Sequence, residues 1–212
     1  LEGFRTATGG DANSLAADPA FTGAGPELPG TSPASNAGVA VTGVTTDLFG
    51  TLRLDPPEIG AFELPQALLG VSPSAVDFGN QRVGVASAAQ TVTLSNTGNV
   101  ELTISAVSAA AAPFSTVGGT CTAVPITLVA GASCTLSHVY TPTAIGAATQ
   151  NINLTSNAGS AGYTLSGTGI QGNLTITPSS LNFGSVNVGA TSPEQTVTLA
   201  NTGSASLEVT AL

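Results

Sequence analysis

Histidine, cysteine and carboxylate side chains could do chemistry in this sequence, and they are few. His138 is the single histidine, so a Ser-His-Asp triad or a histidine metal site would have to include it. Cys134 lies four residues before it, and four residues along a strand span roughly 13 Å at ~3.3 Å per residue. The two side chains therefore cannot form a nucleophile pair. A single histidine without accompanying site residues rarely forms a catalytic or metal site, so we expect His138 to be structural or half-exposed.

The cysteine pair has its own pattern. Cys121 and Cys134 are the only two cysteines and enclose twelve residues. Paired cysteines of exported proteins become oxidised, so a disulfide is the leading prediction, with Cα atoms within ~7 Å of each other. A zinc site at this spacing would need further cysteine or histidine ligands, which argues against a metal.

Eight of the twelve acids lie in the first third of the chain. There they could form a calcium site or the paired carboxylates of glycoside or lyase chemistry. No Asp-x-Asp-x-Asp-Gly spacing occurs, and the acids stand singly, mostly beside proline, glycine or turn residues. This pattern favours turn-forming and solvated roles, and it predicts no catalytic residue, cofactor site or metal site. Eight acids precede Pro65: Glu2, Asp11, Asp18, Glu27, Asp47, Asp55, Glu58 and Glu63.

Charge and composition exclude several partners. The net charge is −9, there is no lysine, and the cations are Arg5, Arg53 and Arg82. So little positive charge cannot neutralise a phosphate backbone, so we expect no nucleic-acid partner, and anionic membrane surfaces are poor partners. No apolar run approaches the ~20 residues of a membrane span. Since the sequence contains no methionine, we expect any signal peptide to lie upstream of Leu1. A surface covered by Thr, Ser, Asn and Gly is typical of extracellular repeats.

One stretch of the sequence occurs twice. Residues 71–107 return 105 residues later as residues 176–212, with 17 of 37 positions identical. A unit of this length fits a β-sandwich of roughly 100 residues better than a solenoid turn of ~20 to 50. The repeat predicts three parts: residues 1–64, a complete sandwich at 65–170, and a truncated second sandwich at 171–212. The truncated part holds only opening strands, so we expect Val197, Leu199, Leu207 and Val209 to lack an opposing sheet.

Hydrophobic alternation predicts short strands and no long helix. Residues 90–95 alternate threonine with Val92 and Leu94, a period of two. Residues 65–69 form a predicted linker, and the alanine run at 109–112 is too short to hold a helix alone. Seven strands are predicted in the complete sandwich, at 75–78, 90–95, 100–104, 126–129, 133–141, 150–155 and 163–167.

Motifs along this sandwich carry a family resemblance. Residues 72–79, 90–98, 134–146 and 165–169 stand in the order found in the Ig-like domain of the abnormal-spindle and hydin type. In bacterial surface proteins the same domain is called the choice-of-anchor D repeat. The resemblance implies an immunoglobulin-like sandwich, in secreted multidomain chains of bacteria or in ciliary and centrosomal proteins of eukaryotes. His138 stands where this family usually has an aliphatic residue, in phase with Leu136, so we expect it to face the core.

The first 64 residues show little sustained periodicity. By themselves they predict short strands at 39–44, 52–54 and 59–62, joined by irregular loops. Residues 17–21, 30–38, 46–53 and 58–63 resemble, in order, the closing segment of right-handed parallel β-helix proteins of the choice-of-anchor Q kind, which are pectate-lyase-like. Asn36 and Glu58 stand where that family usually has aspartate. The resemblance implies that residues 1–64 are the last rung and cap of a β-helix.

Together these observations predict an all-β chain: Ig-like β-sandwich repeats after the terminal rung and cap of a parallel β-helix. The leading functional prediction is a non-catalytic spacer or adhesive module of a secreted or cell-surface bacterial protein. Its expected partners are glycans, cell-wall or surface proteins and neighbouring Ig-like repeats. One rival is the accessory end of a polysaccharide lyase or glycoside hydrolase with a catalytic β-helix upstream. A second rival is a cytoplasmic scaffold of cilia or centrosomes, which the cysteine pair and the absence of lysine disfavour.

Overall fold

The computed structural model describes residues 31–59 and 62–211, and over these residues the fold is all-β, with eleven strands and no helix. Nine strands lie between Leu69 and Ile170, and two follow. Their bounds are β1 Leu69–Ser72, β2 Ala75–Arg82, β3 Gln90–Asn96, β4 Leu102–Val107, β5 Phe114–Gly118, β6 Ile126–Leu128, β7 Ser133–Tyr140, β8 Gly146–Ser156, β9 Gly159–Ile170, β10 Leu174–Thr177 and β11 Thr198–Asn201.

The first nine strands form a two-sheet sandwich. One sheet has the order β1-β3-β7-β5, and the other has the order β2-β9-β8-β4-β6. The chain changes sheet between β1, which is antiparallel to β3, and β2, which is parallel to β9. Pro73 lies at this crossing, where a residue without an N–H interrupts the ladder. The first two strands of the unit, β1 and β2, therefore belong to different sheets.

The repeated Phe-Gly motif marks a bulge in β2. Gly79 has φ 64° and its N–H donates to Asp77 Oδ1 at 2.9 Å, while the β2–β9 register shifts between Asp77 and Asn80. Gly184 has the same φ of 64° and donates to Asn182 Oδ1 at 2.9 Å. A positive φ favours glycine, which explains why the motif occurs in both copies.

The core lies between the two sheets, and its largest aromatic group is contributed by both. The rings of Phe78, Phe114 and Tyr140 contact one another at centroid separations of 5.0 to 6.1 Å. Aliphatic side chains of the inward faces complete the core, which matches the predicted period of two. Val92, Leu94, Leu102, Ile104, Ile152 and Leu165 are fully buried.

All seven predicted strands are present, and two strands were missed. The predicted linker at 65–69 ends where β1 begins, at Leu69, and β5 was not expected. Both are short edge strands of the four-stranded sheet. Only Phe114 of β5 is buried, so β5 has no alternation that a sequence could reveal.

Residues 31–59 and 62–68 consist of turns, bends and extended chain, with one isolated antiparallel bridge between Thr46 and Leu52. The short strands expected at 39–44 and 52–54 are therefore absent as ladders. The strand expected at 59–62 falls partly outside the described residues, as do the motifs at 17–21 and Gly30. The β-helix rung and cap stays a prediction.

Residues 171–211 carry the antiparallel pair β10–β11. The apolar side chains singled out there are open to solvent: Val197, Leu199, Leu207 and Val209 are 38 to 46% exposed. These four side chains are thus not covered by an opposing sheet within the described residues.

Candidate functional site

The cysteine pair fastens the chain after β5 to β7. Cys121 and Cys134 form a disulfide with an S–S distance of 2.01 Å and a Cα–Cα distance of 5.2 Å. Beside it, the N–H of Thr135 donates to Thr120 Oγ1 at 2.9 Å, and the N–H of Cys121 donates to the Thr135 carbonyl at 3.0 Å. A Cβ on Gly119 would lie 2.1 Å from the same carbonyl, so glycine permits this close approach.

His138 is a buried link between the two sheets. It is 1% exposed, its Nδ1 lies 3.2 Å from Thr116 Oγ1, and its Nε2 lies 2.7 Å from the Tyr163 hydroxyl. Burial lowers the pKa of the imidazole and raises the pKa of Tyr163 to about 12. Both ring nitrogens are occupied by protein hydroxyls and closed to solvent, so the geometry gives this histidine a structural role.

Asp47 holds a turn, as its sequence context predicts. Its Oδ1 accepts the N–H groups of Phe49 at 2.8 Å and Thr51 at 2.7 Å. Its Oδ2 accepts the N–H of Glu63 at 3.0 Å. All three donors are backbone amides, so the carboxylate organises local chain and is not presented to a substrate.

The prediction of solvated acids is wrong for Glu63. Its side chain is buried: Oε1 accepts the N–H of Leu54 at 3.0 Å, and Oε2 accepts from the N–H of Glu58 at 3.4 Å and from Arg53 Nη1 at 3.3 Å. Backbone donors and a guanidinium compensate the cost of removing this charge from water. Glu63 is a structural anchor of this segment.

Glu58 is also buried, contrary to the same prediction, and it is only 2% exposed. Neither of its carboxyl oxygens has a hydrogen bond of ordinary geometry, and neither is accessible to solvent. Burial and the neighbouring Glu63 carboxylate raise the pKa of Glu58 to about 7. The pair has the electrostatics of an acid poised near neutral pH, but a substrate could not reach the proton.

A cavity of about 750 Å³ opens beside these acids, between residues 38–45 and 52–59. Its walls are mainly apolar and include Val39, Val41, Val44 and Leu52, all of them exposed.

Within the described residues no group of three or more His, Cys, Asp or Glu side chains could hold a metal ion. Nor does any helix there have the length and apolarity to cross a membrane.

A contact that sequence reasoning missed joins each sandwich unit to the chain that leads into it. The carbonyl of Gln66 accepts the N–H groups of Asn99 at 2.8 Å and Val100 at 3.3 Å. In the second copy the carbonyl of Gln171 accepts those of Ser204 at 2.8 Å and Ala205 at 3.2 Å. Each pair of equivalent residues is 105 apart. The signal in the sequence is the recurrence of glutamine at 66 and 171, just upstream of the repeated stretch.

Comparison with known proteins covers mainly the complete sandwich. Residues 67–168 match the family model described as HYDIN/CFA65/VesB-like, Ig-like domain. No curated protein gives a significant match.

Three similar solved structures come from different sources. The ASH / PapD-like domain of human CEP192 (PapD-like domain 7) is 16% identical, with a TM-score of 0.40 over 52% of this chain and 90% of that one. The Vibrio cholerae VesB protease is 18% identical, with a TM-score of 0.38 over 49% of this chain and 31% of that one. A protein of unknown function from Porphyromonas gingivalis W83 is 14% identical, with a TM-score of 0.41 over 54% of this chain and 52% of that one. Residues 67–168 are thus similar to the Ig-like domain that this family model describes.

Proposed function

We propose that the chain is a non-catalytic part of a secreted or cell-surface multidomain bacterial protein, in which choice-of-anchor D type Ig-like units follow one another as spacer or adhesive modules. The observation that carries this proposal is the repeated contact at Gln66 and Gln171, 105 residues apart. Each carbonyl accepts from the turn of its own unit, which follows β3 in the first unit and β11 in the second. A linker held in this way separates successive units by a fixed offset, which is what a spacer requires.

The chemistry of the sandwich supports a place outside the cytoplasm. Cys121 and Cys134 are joined, and disulfides persist in oxidising compartments. Only 7% of the residues are charged, so the exposed sheet faces are lined mainly by hydroxyl and amide groups. These features disfavour the cytoplasmic cilium or centrosome scaffold as the alternative.

Three buried groups of the described residues that could do acid–base chemistry are used internally. His138 is bonded to Thr116 and Tyr163 inside the sandwich. Glu63 is bonded to backbone amides and Arg53, and the oxygens of Glu58 are closed to solvent. A general acid or base must reach the substrate proton directly or through one water, and none of these groups does.

A second candidate function is the accessory end of a polysaccharide lyase or glycoside hydrolase whose catalytic β-helix lies upstream. The cavity of about 750 Å³ favours it, because it opens within the segment that resembles a β-helix end. In this arrangement residues 1–64 would close the catalytic domain.

The test is a screen of the purified chain against pectin, alginate and neutral glycans, for both turnover and binding. We expect no depolymerisation. Depolymerisation that is lost in Asp18→Asn, Asp47→Asn or Glu63→Gln, but kept in the exposed control Glu101→Gln, would overturn the non-catalytic proposal. Protection of the Leu54 amide from exchange shows whether each variant keeps the local fold. Binding without turnover would redefine the spacer as a carbohydrate-binding module.

A further inference from the structure

The end of the first unit is held directly beside the start of the second. Strands β2 and β9 run parallel and end together, with Arg82 paired to Ile170 and the N–H of Val83 bonded to the Ile170 carbonyl at 3.0 Å. Residues 171–173 then lead straight into β10 at Leu174. A connection this short leaves little freedom between the two units, and it places the Arg82 side chain at the exit of the chain.

The linker is bonded to the second unit by its backbone. Gln171 receives the N–H groups of Ser204 and Ala205 on its carbonyl, and its own N–H donates to Ser204 Oγ at 3.2 Å. A Cβ on Gly203 would lie 2.3 Å from the Gln171 carbonyl oxygen and 2.4 Å from the nitrogen of Asn173. Only glycine fits this approach, so the Asn201-Thr202-Gly203 turn matches the linker in shape as well as in hydrogen bonding.

A side chain of the first unit also binds the second unit. Arg82 Nη2 donates to the Ser206 carbonyl, and the same nitrogen lies 3.5 Å from Ser206 Oγ. Ser206 follows the residues that bind Gln171, and a cavity of about 250 Å³ lies between Arg82, Gln171 and Leu207. The second unit is therefore held at two points, by the linker backbone and by a guanidinium from the end of β2.

The equivalent loop of the first unit also faces what precedes it. Asn99, which corresponds to Ser204, donates from Nδ2 to the Leu64 carbonyl at 2.9 Å and to the Leu52 carbonyl at 3.2 Å. The donors and acceptors differ, but the surface is the same: the residues that follow the Asn-Thr-Gly turn. In both units this surface meets the upstream neighbour through hydrogen bonds.

We propose that the contact loop, residues 98–101 and its copy 203–206, is the interaction surface through which each Ig-like unit binds its upstream neighbour, and that Arg82 sets the angle between two consecutive units by binding Ser206. For the second unit this neighbour is the first Ig-like unit, which ends its second strand in the Arg82 guanidinium. This inference rests on the proposed spacer function. It adds that the orientation of the second unit relative to the first is fixed.

Residual dipolar couplings of the backbone amides, measured on the whole chain under weak alignment, test whether the two units keep one fixed relative orientation. We expect one alignment tensor to fit the amides of residues 69–170 and of 171–211. In Arg82→Ala the shared tensor is lost. The neighbouring control Gln81→Ala keeps it, because the Gln81 side chain donates to the Ala86 carbonyl in the loop of its own unit. Cross-strand contacts between Thr175 and Ala200 persist in Arg82→Ala, which shows that the second unit keeps its fold.

A second readout uses the linker contact. Gly203→Ala should abolish the protection of the Ser204 and Ala205 amides from exchange, while Gly118→Ala, where an added Cβ meets nothing within 4 Å, leaves it unchanged. Separate tensors in the unmodified chain, couplings of 171–211 averaged to zero, an unchanged tensor in Arg82→Ala, or loss of the Thr175 contacts in that variant would each overturn the proposal. Glycan turnover would overturn the spacer function instead and leave a shared tensor intact.

Discussion

The Nε2 atom of His138 lies 2.7 Å from the hydroxyl oxygen of Tyr163, and this contact ties β7 of one sheet to β9 of the other through the interior of the sandwich. Thr116 of β5 completes the chain of hydrogen bonds on the other ring nitrogen. A neutral imidazole can donate one bond and accept the other, so both hydroxyls are satisfied. The arrangement replaces the aliphatic contact expected at this position with a polar one that depends on protonation.

The first prediction follows from the charge state of His138. Burial holds the pKa of the folded imidazole below its ordinary value of 6.5, so the unfolded chain binds the proton more readily than the folded chain. The contribution of His138 to the free energy of unfolding is therefore complete above pH 6.5, and it decreases as the pH falls below 6.5. Urea unfolding followed at a series of pH values between 7.5 and 4.5 measures this decrease.

The matched variant is His138→Leu combined with Tyr163→Phe, which removes the proton acceptor and its buried partner together. We expect this double variant to lose the pH dependence that His138 causes, while the single change Tyr163→Phe keeps it. The single change should also cost about 1 kcal/mol, since it leaves a buried ring nitrogen without a partner. Equal pH profiles for the double variant and the unmodified chain would contradict the assignment.

The second prediction concerns Glu58. Its folded pKa of about 7 lies above the ordinary 4.5, so the folded chain retains a proton that the unfolded chain releases between these values. The contribution of Glu58 to the stability of this segment is therefore full below pH 4.5 and is lost as the pH rises through 7. Protection factors of the Leu54 and Glu58 amides, both bonded to Glu63, should fall over this range. Glu58→Gln should abolish the fall, and the exposed control Glu101→Gln should not.

Local pattern was enough to predict much of the sandwich. In β3 the alternation of Thr91 and Thr93 with Val92 and Leu94 predicts a strand with one buried face, and both aliphatic residues are fully buried. The same period of two predicts an inward His138. These features depend on neighbours along one strand, which a sequence states directly.

Features that depend on distant partners were not predictable. The burial of Glu63 depends on Arg53 and the amide of Leu54, which only the folded chain brings to its carboxylate. The bond between Arg82 and Ser206 joins residues separated by 124 positions. Hydrophobic periodicity carries no information about such contacts, so the acids were assigned to solvent and the joint was missed.

The third prediction compares Asn96 with its copy Asn201. Asn96 is 1% exposed and donates from Nδ2 to the carbonyls of Val100 at 2.7 Å and Leu128 at 2.9 Å. Asn96→Ala removes a buried bond to Leu128 and a part-buried bond to Val100, and it should cost about 2 to 4 kcal/mol. Asn201 is exposed and donates to the Ala205 carbonyl at 2.7 Å, where water can replace it. Asn201→Ala should therefore leave the urea midpoint of the sandwich unchanged, and equal losses in both variants would contradict this account.

The last prediction concerns the disulfide between Cys121 and Cys134. The bond closes a loop of twelve intervening residues, and cross-linking a loop of this size stabilises the folded state by about 3 kcal/mol in the chain-entropy model. Reduction should therefore lower the free energy of unfolding of the sandwich, measured by urea titration, by that amount. Thiol titration of the unfolded, unreduced chain should find no free thiol, and two free thiols would exclude the bond.

The matched control for the disulfide is Thr120→Ala, which removes the hydrogen bond from the Thr135 amide but keeps the disulfide. Its free energy of unfolding should fall by only about 1 kcal/mol, because the covalent bond still holds the segment after β5 against β7. An equal fall on reduction and in Thr120→Ala would show that the hydrogen bonds, and not the disulfide, hold this edge of the sandwich together.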